Sequence, residues 1–238
     1  MTEQHIASAF DRDLEAIQAL IMKMGGMVEV AINEAARSLE LRDAEAADQV
    51  RRNDRLIDDL EELVNAEAIR LIALRAPAAV DLRTVLTVMK ISNSLERVGD
   101  YAKNIAKRTS VLLQMQQIND SAIAIRRMAD MVELMMKDVL DSYIQRDVDL
   151  AQNVRERDAE LDQMYNALFR QLLTYMMEDP RNITGCMHLH FIAKNIERMG
   201  DHVTTMAEQV IYLVTGDMPD DDRPKGDSTS FVSTPGAV

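Results

Sequence analysis

Apolar residues recur in steps of three and four along most of this chain. Phe10, Leu14, Ile17, Ile21, Met24, Val28, Ile32, Ala35 and Leu39 form one such row, which places them on one face of a single helix. Gly25 and Gly26 interrupt it. Each glycine costs roughly 1 kcal/mol in a helix interior, so the helix bends there or a neighbour packs very close. Arg42-Asp43 ends this helix and opens a second, over about 44–75, with Val50, Ile57, Val64, Ala68 and Leu71 on its apolar side. A third is predicted over 78–108. The pattern then starts again. Helix four is predicted over 117–145, helix five carries Val154, Leu161, Leu168, Leu172 and Tyr175, and helix six covers 183–214. Gly216 follows, a residue suited to a left-handed helix terminator.

The second round repeats the first at polar positions as well. Residues 91–107, ISNSLERVGDYAKNIAK, and 192–208, IAKNIERMGDHVTTMAE, agree at six of seventeen positions. Their shared core is E-R-x-G-D. Arg42-Asp43 matches Arg146-Asp147 at an offset of 104, Pro77 matches Pro180 at 103, and Glu96 matches Glu197 at 101. The chain is therefore an internal duplication that gained or lost only a few residues. Proline is tolerated in the first turn of a helix and breaks its interior, so both prolines are read as marking the start of the third helix of each half. Helices of about thirty residues are roughly 45 Å long, and three with short connections make an antiparallel bundle. The expected fold is all-α: two tandem three-helix bundles, 8–110 and 111–216, six long antiparallel helices related by pseudo-two-fold symmetry. The tail, 217–238, holds three of the five prolines and little apolar surface, and disorder is expected there.

Composition agrees and narrows the chemistry. Aromatic residues make up 4% of the 238, with no Trp, while Met reaches 17; sheet-favouring residues are sparse. The net charge of −13 makes nucleic acid a poor partner. One cysteine, Cys186, excludes an internal disulfide. No signal peptide and no stretch of eighteen apolar residues is seen, so a soluble cytoplasmic protein is expected.

The candidate chemistry lies in carboxylate pairs four residues apart, which share a helix face. Glu96/Asp100 recurs as Glu197/Asp201, and Asp54/Asp58 recurs as Asp158/Asp162. Like charges so placed destabilise a helix by a few tenths of a kcal/mol, so something offsets them. Arg97, Arg198 and other arginines on a solvated face are one explanation. A cation bridged by carboxylates of adjacent helices is the other; all-oxygen ligands suit iron, manganese, magnesium or calcium. A ferritin-like site needs Glu-x-x-His, and here Gly99 and Gly200 occupy the third position after each Glu. With no imidazole supplied, redox catalysis is not expected. Those glycines are read as close helix packing in preference to room for an ion. His188 and His190 do not share a helical face. His202 has Tyr101 as its counterpart and is read as structural. Cys186 is read as a small buried hydrophobe. No nucleophile-base constellation or phosphate-cradling loop is present, so no enzyme is expected. A carboxylate-ligated metal-handling protein or metal-dependent enzyme stands as the alternative.

The two repeats closing on L/I-E-R-x-G-D, the run Pro77 to Asp81-Leu82-Arg83, and FIAKNIERMGDHVTTMAEQVIYLVTG at 191–216 resemble the PhoU family, over about 8–216. The second half departs from it at Arg181-Asn182-Ile183-Thr184. The resemblance implies an accessory of phosphate-specific transport that represses the phosphate-starvation response. It implies an adaptor between the phosphate ABC transporter ATPase and a sensor histidine kinase at the inner face of the membrane, favouring dephosphorylation of the response regulator. It further implies a homodimer, peripheral membrane association through partners, and metal at Glu96, Asp100, Glu197, Asp201, Asp54, Asp58, Asp158 and Asp162. The expected ion is iron or another divalent cation: manganese, magnesium, calcium or zinc.

Overall fold

A computed structural model describes residues 2–118 and 121–219. Six long helices account for nearly all of them: α1 Thr2–Glu40, α2 Ala44–Arg75, α3 Val80–Leu112, α4 Ser121–Gln145, α5 Val148–Glu178 and α6 Ile183–Thr215. Most of the tail expected to be disordered, 220–238, lies outside the described residues.

The two Arg-Asp dipeptides build the same corner twice. Arg42 and Arg146 adopt left-handed backbone, φ 56° and 55°, which turns the chain. The aspartate that follows is extended and caps the next helix. Asp43 accepts hydrogen bonds from the Glu45 and Ala46 amides, and Asp147 from the Leu150 amide. These bonds satisfy amide donors that a helix N-terminus otherwise leaves orphaned. Gly216, at φ 91°, ends α6.

The prolines behave differently from one another. Pro180 opens a short 3-10 turn, Pro180–Asn182, that runs straight into α6. Pro77 instead lies in an irregular connection, because Ala76 and Ala79 on either side of it take positive φ, and α3 begins only at Val80. The far end of α3 runs past the predicted 108 to Leu112. There the Arg42 guanidinium donates to the carbonyls of Leu112, Leu113 and Met115 at 3.3, 2.8 and 3.0 Å, a cap contributed by the α1–α2 corner. Helix α4 correspondingly starts at Ser121, four residues later than predicted.

Within each half the three helices pack on one another. Between halves α3 runs along α6 and α1 along α4, leaving α2 and α5 on the flanks. The rows read from the sequence point inward: Ile17, Ile21, Met24, Val28 and Ile32 are all buried, and one apolar core continues through both halves. Gly25 lies where α1 meets α4, and a Cβ there would stand 2.5 Å from Leu140 Cδ1. Close approach accounts for that glycine. Gly26 faces open space.

The approximate two-fold relation is visible in the contacts. Tyr101 and His202, equivalent in the repeat, face one another with ring centroids 5.7 Å apart. Residues on an axis between α3 and α6 must meet in this way. Ile57 packs over Gly99 in one half, and its equivalent Leu161 packs over Gly200 in the other.

Candidate functional site

Helix α2 lies antiparallel to α3, and α5 to α6, so each half brings its two carboxylate pairs onto one seam. Gly99 and Gly200 allow this. A Cβ on Gly99 would lie 3.1 Å from Ile57 Cδ1, and one on Gly200 would lie 2.3 Å from Leu161 Cδ2 and 3.3 Å from Asp158 Oδ1. The glycines are thus the close-packing positions expected of them.

In the first half Asp54 is buried, at 4% exposed, while Asp58, Glu96 and Asp100 are half-buried. The Lys103 ammonium sits between helices: it pairs with Asp54 on α2 and, at 3.2 Å, with Asp100 on its own helix. The hydrogen bond to Asp54 raises the Lys103 pKa. Burial, joined by the Asp54 charge, raises that of Asp58. Burial likewise raises Glu96, with Asp100 and Asp58 adding repulsion and Arg97 opposing it. Arg97 is exposed and stands 3.5 Å from Glu96 and 3.6 Å from Asp100. Exposed pairs at that distance contribute at most about 1 kcal/mol. Lys103 is therefore the chief offset at Asp54 and Asp100, while Arg97, named from the sequence, is the cation that opposes repulsion at Glu96.

The second half is drier. Asp158, Asp162 and Glu197 are all buried, and Asp201 is half-buried. Thr204 takes the place of Lys103; its hydroxyl donates to Asp158 Oδ1 at 3.3 Å and to the Gly200 carbonyl at 2.9 Å. The ammonium comes instead from the opposite end of the motif, where Lys194 lies 2.9 Å from Glu197 and 5.0 Å from the centre of the Tyr165 ring. Burial raises the Glu197 pKa, and the Asp201 and Asp162 charges add to it against the Lys194 pairing.

All eight carboxylates thus lie along the α2–α3 and α5–α6 seams. Among the described residues, however, no three His, Cys, Asp or Glu side chains form a group able to hold a metal ion. In the first half the donor set is already matched by an internal cation, which does not fit a metal at Asp54 and Asp100. In the second half the Asp158 end has a hydroxyl where the first has an ammonium. The lysines were missed in the sequence because Lys103 and Lys194 sit at unlike positions of the repeat, facing Thr204 and Asn93. Their spacing, three after Asp100 and three before Glu197, was the available signal.

The other candidates are accounted for by packing. His202 is half-buried against Tyr101, and burial lowers its pKa. Cys186 is fully buried, and burial raises its thiol pKa. Among the described residues no helix is long and apolar enough to cross a membrane.

The PhoU domain model matches the chain twice, at residues 21–109 and 125–210. The chain is 44% identical over 234 residues to a protein of Rhizobium meliloti named phosphate-specific transport system accessory protein PhoU homolog, covering 98% of this chain and 99% of that one. It is 48% identical over 222 residues to the protein of the same name from Zymomonas mobilis, covering 93% of each. Among solved structures, PhoU from Pseudomonas aeruginosa superposes with a TM-score of 0.85 at 36% identity, over 87% of this chain and all of that one. The phosphate transport system regulatory protein PhoU from Streptococcus pneumoniae gives 0.81 at 27% identity, over 89% and 99%.

Proposed function

This chain belongs to the PhoU family, and from that premise we propose that it is an accessory regulator of phosphate transport, acting as an adaptor and not as a catalyst. The observation that carries the reading is the match over nearly the whole chain to proteins named as accessories of phosphate-specific transport. In this reading the chain couples the phosphate ABC transporter ATPase to a sensor histidine kinase at the inner face of the membrane. It represses the phosphate-starvation response by favouring dephosphorylation of the response regulator. A homodimer in the cytoplasm, held at the membrane only through its partners, is the form expected to act.

The mechanism is a difference in binding. A docked adaptor biases a two-state kinase only by holding one state more tightly than the other, and roughly 1–3 kcal/mol of coupling suffices. Two rigid bundles in fixed relation, with α2 and α5 outermost, can hold two partners in one geometry. A net charge of −13 favours basic partner surfaces. Deleting the gene from cells grown at high phosphate is expected to switch on phosphate-starvation transcription; unchanged transcription would overturn the proposal.

The second reading places a divalent cation, iron foremost, on the α5–α6 seam. It is favoured by the burial of Asp158, Asp162 and Glu197 beside Asp201, with a hydroxyl at the position where the first half has an ammonium. Elemental analysis of protein purified without chelator separates this reading from a metal-free adaptor.

A further inference from the structure

The two carboxylate seams are not copies of one another in their cations. At the Asp54 end of the first seam, Lys103 Nζ reaches one carboxylate on each of two helices, Asp54 on α2 and Asp100 on α3. Bridging carboxylates from facing helices is the task a bound metal ion performs. An ammonium is a compact point charge with three donors, so it can serve both at once. Asp54 is only 4% exposed, and its second oxygen, Oδ1, accepts no hydrogen bond among the described residues. A buried carboxylate of this kind stays charged only with a cation or hydrogen-bond donors beside it. At the equivalent Asp158 end the matching position is Thr204, whose hydroxyl donates to Asp158. The positions correspond closely, since Ile57 and Leu161 pack over Gly99 and Gly200 in the same manner.

We propose that Lys103 is a tethered cation standing in for a metal ion, so that the Asp54–Asp100 end of the α2–α3 seam is complete without metal and closed to it. The ammonium is attached to the chain at Asp100's own helix face, and its presence does not depend on any free concentration, whereas a bound ion stabilises only by mass action. The first half therefore keeps its packing whatever the metal supply.

The test is Lys103→Thr, which copies the second-half residue, with Lys103→Arg as the charge-retaining control. Each full-length protein is stripped with chelator and then dialysed against manganese chloride. Bound manganese is counted by elemental analysis, and amide hydrogen exchange is followed along α2 and α3. Lys103→Thr is expected to bind one more manganese per chain than wild type. Its α2–α3 amides should exchange faster without the ion and recover protection with it, while wild type and Lys103→Arg show no manganese effect on those helices. Equal stoichiometry in Lys103→Thr and wild type overturns the proposal. So does a Lys103→Thr chain that fails to fold and is not rescued by manganese, or a wild-type α2–α3 seam that manganese protects.

Discussion

Glu197 shows how one side chain holds conflicting demands. It is 7% exposed, faces the Asp162 and Asp201 charges, and has Lys194 at 2.9 Å. Burial prevails over the pairing, and the folded pKa stands above the ordinary 4.5. The folded chain then binds a proton at Glu197 more tightly than the unfolded chain does. Its contribution is most favourable below pH 4.5 and is lost as pH rises through the raised folded value. Glu197→Gln, similar in shape and uncharged, removes that dependence. Melting temperatures of both proteins from pH 4 to 8 should show the variant gaining on wild type as pH rises from about 4.5 and levelling off above the folded pKa. A constant difference across the range would falsify the assignment. The pairing of Glu197 with Asp201 was legible from the repeat alone. Its burial was not, because a seam between helices forms only when both are in place.

At the scale of the helix, the Arg-Asp corner is built alike in both halves and used differently. Arg42 accepts left-handed strain, roughly 1–2 kcal/mol for a non-glycine residue, yet its guanidinium also closes the end of α3 through three carbonyls. Arg146 carries the same strain with an exposed side chain and no such cap among the described residues. Arg146→Gly should therefore be neutral or stabilising by up to about 1 kcal/mol. Arg42→Gly should be net destabilising, since charged hydrogen bonds contribute about 1.5–3 kcal/mol. Chemical denaturation of the two variants checks the order, and equal effects would remove Arg42 from its capping role. Sequence placed these corners correctly because the cap is local to the dipeptide. It misjudged the end of α3 because the group that closes it is seventy residues away in the chain.

At the scale of the molecule, the halves share one core and meet along α1–α4 and α3–α6. Gly25 is a point of that contact, 2.5 Å from Leu140 once a Cβ is present, and Leu140 is itself only 3% exposed. Gly25→Val should overpack the seam and cost about 1–3 kcal/mol. Because the seam joins both halves, calorimetry should record a single transition moved to lower temperature. A second transition left in place would show that the halves unfold independently.

The sequence by itself determined six helices, their doubling, the inward rows and the recurrence of four carboxylate pairs at matching positions. These follow from periodicity and repetition, which are properties of the chain read in order. Only the tertiary structure decided which cation answers each seam and how the halves meet. Lys103 and Lys194 act on charges supplied by another helix or turned toward one, and a lysine on a helix surface gives no sign in the sequence of what will face it.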